Sequence, residues 1–335
     1  MKICTKCVLP ETFPGIRFND EGVCSYCETS QSAERRETKK EEYRQKFEAL
    51  VAEHRGRHAY DALMCFSGGK DSTYTLTLLR EQYDLSVLAL TLDNGFVPQR
   101  TYDNLRSVVQ TLGVDHILLR PSFGILSKIF GEGARRDIFP PKTLDRASTI
   151  CTACIAILKN SALRLAVEKD IPFIAFGWSP GQAPITSSLM KTNPKMTRMM
   201  QKTLFDPLHD VVGDKIRPYF LEDRHFDGGY NFPYNLHPLA FMDYNEEAIF
   251  KKITQLGWEA PAQLDANSTN CLLNSYANIV HKNRFGFHPY AFEMANLVRE
   301  GCLDRETALE KLERQENPDI VGYAEEKLGV PLGST

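Results

Sequence analysis

The sequence predicts an α/β protein built on a parallel sheet. Three observations point there. Short apolar runs recur along the chain at residues 59–66, 85–92, 116–119 and 172–176. Helix-like stretches separate them, notably residues 100–112 and 151–169, the latter with apolar residues at 155, 158, 162, 165 and 166. The first run ends in the glycine-rich turn Ser67-Gly68-Gly69-Lys70-Asp71-Ser72. Strands that alternate with helices pair in parallel, and their continuous apolar character marks burial on both faces.

Four segments follow in order. Residues 1–30 hold Cys4-x-x-Cys7 and Cys24-x-x-Cys27, two pairs separated by 16 residues. Each Cys-x-x-Cys turn presents two soft ligands, so together they match a four-thiolate zinc ribbon. A closed four-cysteine site leaves no open position for substrate, and its expected role is structural. Residues 31–58 are highly charged and read as a solvated helical linker. Residues 59–243 carry the strand–helix alternation. Within them, 179–235 are rich in Pro, Gly, Asn and Met, which suggests a substrate lid or a poorly ordered segment. Residues 244–335 read as mostly helical.

Composition narrows the function classes. The chain has 335 residues, 42% of them hydrophobic and 25% charged, with a net charge of −3. That balance gives no global attraction to nucleic acid. No apolar run is expected to reach the roughly 18 residues of a membrane span, and the N-terminus has no signal-like apolar core. A cytoplasmic location is expected. Nine cysteines in a reducing compartment then point to metal or sulfur chemistry rather than disulfides.

The turn at 67–72 is a phosphate-binding device. Its glycines let the backbone approach an anion, and the N–H groups of the following helix point at it. It lacks the Gly-x-x-x-x-Gly-Lys-Ser/Thr spacing of a kinase-type loop. Ser-Gly-Gly-Lys-Asp-Ser resembles the signature of the PP-loop ATP pyrophosphatases. The resemblance implies a Rossmann-like nucleotide domain that cleaves ATP between the α and β phosphates and adenylates a carbonyl-type oxygen. It implies pyrophosphate contacts from Ser67, Gly68, Gly69, Asp71 and Ser72, with Asp71 near Mg²⁺ and Lys70 offsetting charge. Asp93, in Leu92-Asp93-Asn94-Gly95, resembles the adenosine-contacting turn of that superfamily, and Gly177 closes the fourth strand beside the nucleotide.

Cys151-Thr-Ala-Cys154 opens a predicted helix, and Cys271 lies far downstream. Thiolates at a helix start are good ligands or nucleophiles. Three cysteines suit a [4Fe–4S] cluster with one iron left open, since four thiolates are usual. A second zinc site and buried structural thiols are the alternatives. The arrangement resembles the iron–sulfur-dependent tRNA thiolases of the two-thiouridine type, and Lys159 stands where that likeness implies a catalytic lysine. The turn Gly177-Trp-Ser-Pro-Gly-Gln182 contains no acid, so a small molecule or nucleobase is favoured over tRNA as substrate.

The head from Cys4 to Cys27 and the tail from Gly301 to Glu310 also resemble the N-acetyl sugar amidotransferases, which would take ammonia from a glutaminase partner. The expected function is therefore adenylation followed by sulfur insertion, with ATP, Mg²⁺, Zn²⁺ and a [4Fe–4S] cluster as cofactors. Amide formation is the enzymatic alternative, and a nonenzymatic nucleotide-binding zinc adaptor is the other. Expected partners are a sulfur donor or a glutaminase, and a second copy in a homodimer. Lys191, Lys195, Arg198 and Lys202, interleaved with methionines, read as a basic clamp or a solvated helix face.

Overall fold

In the computed structural model, which describes residues 2–261, 268 and 270–334, the chain forms a six-stranded sheet covered by helices on both faces. The strands are β1 (Ala62–Cys65), β2 (Val87–Leu92), β3 (Asp115–Leu119), β4 (Phe173–Phe176), β5 (Leu189–Lys191) and β6 (Tyr234–Leu236). Their order is β3-β2-β1-β4-β6-β5, parallel except for β5, which runs antiparallel to β6. The helices are α1 (Ser25–Glu28), α2 (Ala33–His54), α3 (Lys70–Thr77), α4 (Gln99–Leu112), α5 (Phe123–Arg135), α6 (Thr149–Glu168), α7 (Pro194–Val212), α8 (Glu246–Thr254), α9 (Leu273–Phe285), α10 (Ala291–Glu300), α11 (Arg305–Glu313) and α12 (Pro318–Leu328).

The order follows from local chemistry. Strands β1, β2 and β4 are buried along their whole length, which suits central positions in a sheet covered on both faces. Side chains alternate between two cores. Ala62, Met64 and Phe66 face one with Leu105 and Trp258, while Leu63 and Cys65 face the other with Ala162 and Ile174. Helix α6 begins at Ser148, whose hydroxyl accepts the Cys151 N–H, a standard N-cap. It packs on β1, β2 and β4.

Two expectations change. Residues 179–235 are not poorly ordered: they contain β5, α7 and the start of β6, and the two strands extend the sheet at one edge. Strands of three residues are too short to show a period, and Pro207 inside α7 breaks the helical pattern. By length and composition α6 is apolar enough to cross a membrane, against the expectation of no such run. More than half of that stretch is buried inside the protein, where it covers the sheet.

The first 30 residues do not stand apart. Val8, Leu9, Phe13 and Val23 share a core with Phe287, Ala291, Met294 and Leu297 of the C-terminal helices. The two ends of the chain are thus one packed unit beside the sheet.

Candidate active site

Ser67–Gly69 turn sharply between β1 and α3. Gly68 has φ of +76°, and a Cβ there would lie 2.9 Å from Thr101 Cγ2. The Gly68 carbonyl accepts the indole N–H of Trp258 at 2.9 Å, and the Ser67 carbonyl accepts from Asn270 Nδ2 at 3.2 Å. Ser67 Oγ and Ser72 Oγ are 3.0 Å apart, and Ser72 Oγ also donates to the Gly69 carbonyl at 3.0 Å. These bonds hold the turn and leave the first N–H groups of α3 for an anion.

Lys70 sits in a charged knot. Its Nζ is 2.9 Å from Asp71 Oδ1, 2.7 Å from Tyr244 Oη and 3.3 Å from Glu246 Oε1. Burial opposes the ammonium charge, but Asp71, Tyr244 and Glu246 outweigh it and keep Lys70 protonated. Tyr244 Oη also donates to Asp71 Oδ1 at 3.0 Å. Tyr244 and Glu246 were not readable from sequence, because they lie some 170 residues downstream in a segment without a motif.

Gly177 comes close to the loop for a steric reason. A Cβ on it would lie 2.3 Å from Ser72 Cα and 2.5 Å from Ser72 N. The end of β4 thus abuts the backbone of the phosphate turn, as two neighbouring parallel strands allow at their carboxyl ends.

A cavity of about 300 Å³ opens on this turn. Ser67, Lys70 and Asp71 line one wall, Phe176 and Trp178 another, and Tyr290 and Glu293 a third. Glu293 comes from α10. Its Oε1 accepts from Ser179 Oγ at 2.7 Å. Burial raises its carboxyl to about 7, against the hydrogen bond from Ser179 and with the nearby Asp71 charge. The turn 177–182, which has no acid of its own, thus receives one from a distant helix. A buried carboxyl near neutrality in a cleft can hold or move a proton at physiological pH.

Lys159 lies behind this wall. Its ammonium is 4.5 Å from the Trp178 ring centre and 5.4 Å from that of Phe176. Burial lowers its pKa. Trp178 in turn stacks on His237 with ring centres 4.6 Å apart.

Asp93 is buried under Arg120, with which it forms an ion pair, and its Oδ1 accepts the Gly95 N–H at 2.9 Å. Burial works against its charge, but these donors prevail and hold its carboxyl below the usual range. Its side chain therefore fixes the turn after β2 rather than lining the cavity.

Cys151, Cys154 and Cys271 converge beside the loop but outside this cavity. Asn94 Nδ2 is 3.7 Å from Cys154 Sγ and 3.3 Å from Cys271 Sγ. Cys151 Sγ is 3.9 Å from Asn274 Oδ1. The Asn274 Nδ2 is buried and has no hydrogen-bond partner among the described residues. Three thiols, one amide donor shared by two of the sulfurs and one spare amide donor suit a guest that brings anionic sulfur.

The head is the other cysteine site. Cys4, Cys7, Cys24 and Cys27 place their sulfurs within 4.8 Å of one another, the one such group among the described residues. The pairs Cys4–Cys27 and Cys7–Cys24 are 3.9 and 3.7 Å apart. A metal with bonds of about 2.3 Å to four tetrahedral sulfurs needs edges of about 3.8 Å. Arg299 Nη1 donates to Cys7 Sγ at 3.3 Å, and Arg305 donates to the Cys4 and Cys7 carbonyls at 3.0 Å. The metal site is therefore braced by α10 and α11.

The chain has a mostly parallel α/β fold with a glycine-rich turn between its first strand and the following helix. No protein-family model matches it. A protein of Methanocaldococcus jannaschii described as uncharacterised is 24% identical over 259 residues, which is 77% of this chain and 74% of that one. Among solved structures, a U34-tRNA thiolase from Methanococcus maripaludis with its [4Fe–4S] cluster aligns over 99% of each chain, at 16% identity and a TM-score of 0.36. The NMN synthetase of Francisella tularensis aligns over 87% of this chain and 97% of its own, at 13% identity and a TM-score of 0.38.

Proposed function

We propose that this PP-loop protein is an ATP-dependent enzyme. It adenylates a carbonyl-type oxygen on a small molecule, nucleobase or sugar, and then replaces AMP with sulfur. The observation that carries the reading is the segment around Asn270. Asn270 hydrogen-bonds the Ser67 carbonyl of the phosphate turn, and its neighbour Cys271 accepts from Asn94 beside Cys154. Adjacent residues thus join the nucleotide site to the sulfur site.

In this reading the turn and the first N–H groups of α3 hold the phosphates of ATP. Asp71 is placed to meet Mg²⁺, and Lys70 balances phosphate charge. Adenylation converts a poor oxide leaving group into AMP, and the protein contributes position and electrostatic stabilisation. Cys151, Cys154 and Cys271 would hold a [4Fe–4S] cluster, which would supply the sulfur chemistry. The four head cysteines would hold Zn²⁺ in a structural role.

Two experiments test the parts separately. Anaerobically purified protein should carry about four irons in addition to any zinc, and an iron–sulfur absorbance that Cys151→Ala removes. Colourless protein with zinc alone would sink sulfur transfer. Asp71→Ala should abolish ATP-dependent pyrophosphate release, and unchanged release would refute adenylation. Amide formation with ammonia is the second reading, favoured by Glu293: its carboxylate faces the loop cavity, where it can take a proton from an attacking amine.

A further inference from the structure

Asn94 is the second residue after β2 and follows Asp93 in the turn. Its two ends are already assigned. Oδ1 accepts the Phe96 N–H at 2.9 Å, and Nδ2 reaches Cys271 Sγ at 3.3 Å and Cys154 Sγ at 3.7 Å. Reversing the carboxamide would break the backbone bond and turn an oxygen lone pair onto sulfur, so the NH₂ end is held toward the cysteines. The turn itself is rigid. Gly95 has φ of +83°, and a Cβ there would meet Phe123 at 2.7 Å. The Phe96 carbonyl accepts the Leu272 N–H at 2.9 Å, which fixes the Asn94 turn against the Cys271 segment.

A neutral thiol is a weak acceptor, whereas a metal-bound thiolate is a strong one. A buried amide that spends both of its hydrogens near two sulfurs is arranged for the second.

We propose that Asn94 is a positioning residue for the sulfur centre: its carboxamide donates to the sulfurs of Cys154 and Cys271 and sets the reduction potential of the cluster they bind. The inference rests on the proposal that the three cysteines hold such a cluster. Hydrogen bonds to thiolate ligands stabilise the more negative, reduced state and raise the potential. Their loss lowers it.

The discriminating pair is Asn94→Asp and Asn94→Ala. The first keeps the size of the side chain and the acceptor for Phe96, removes the donor and adds a charge; the second removes the donor without a charge, so a fall in potential shared by both is the effect of the lost hydrogen bond. Full-length wild type and variants are reconstituted anaerobically with iron and sulfide. Iron content, the electron paramagnetic resonance of the reduced state and the potential are then measured, with thermal melting as the control for fold. The expected result is that both variants melt as wild type does and show either a more negative potential or loss of iron. An unchanged potential and spectrum at equal iron content would overturn the role of Asn94 while leaving the cluster standing. Failure of the wild type itself to bind iron would overturn the cluster and this inference with it. If Asn94→Asp does not fold, Asn94→Ser, which is smaller and uncharged, is read by the same criteria.

Discussion

Ser179 donates its hydroxyl hydrogen to Glu293 at 2.7 Å, and this one bond ties the turn after β4 to helix α10 across 114 residues. Gly181 reinforces it: a Cβ there would lie 2.4 Å from the Glu293 carbonyl, and the Gly181 carbonyl accepts from Asn296 at 2.8 Å. The C-terminal helices thereby form a wall of the cavity at the glycine-rich turn and carry an acid into it.

That acid makes stability depend on pH. Burial raises the Glu293 carboxyl from an ordinary value of 4.5 to about 7. Between those values the folded protein binds more protons than the unfolded chain, so Glu293 lowers stability progressively as pH rises through that window, and its full cost is present above it. Glu293→Gln should remove this slope and melt on the order of a few degrees higher than wild type at pH 8, relative to pH 5. Parallel pH–melting curves for the two proteins would refute the shift.

Gly177→Ala tests the close approach of β4 to the phosphate turn. The added Cβ would meet the Ser72 backbone at 2.3 Å, and backbone cannot rotate away. The expected cost is about 1–3 kcal/mol, with at least tenfold weaker ATP binding by calorimetry. Gly322→Ala is the control. It lies in α12 with nothing within 4 Å of the added carbon, and should stabilise by about 0.5–1 kcal/mol.

Tyr244→Phe removes the phenol oxygen that touches both Lys70 and Asp71. Lys70 and Asp71 should remain paired but less fixed, so ATP affinity should fall by about tenfold, the effect of one charge-assisted hydrogen bond. Equal affinity by calorimetry would show that the phenol does not order the turn.

Arg305 links the metal head to α11 through the Cys4 and Cys7 carbonyls. Arg305→Ala should cost about 1–3 kcal/mol in denaturant unfolding and leave bound metal unchanged. Cys24→Ser should instead lose the metal by elemental analysis and destabilise the head together with the C-terminal helices it packs on. If Cys24→Ser left those helices equally protected from hydrogen exchange, the two ends of the chain would not be the single unit described.

Much of this protein is readable along the chain because the relevant chemistry is local. The head cysteines sit three residues apart in each pair, and the Ser-Gly-Gly-Lys-Asp-Ser turn is contiguous. Strands β1, β2 and β4 are apolar throughout. Shorter elements escape such reading. The strands β5 and β6 have three residues each, and they exist because β4 offers an edge to pair with.

The sequence by itself determined the parallel α/β architecture, the phosphate turn, the four-cysteine head and the three further cysteines. Periodicity, glycine backbone freedom and ligand spacing act over a few residues, so they survive in one dimension. Tertiary structure decided what surrounds them. It brought Glu293 to a turn without an acid, Tyr244 and Glu246 to Lys70, and Asn94 to two sulfurs, and it placed Lys159 against Trp178. Those contacts join separate elements of the chain, and only the packing of α6, the C-terminal helices and the sheet-end turns against one another creates them.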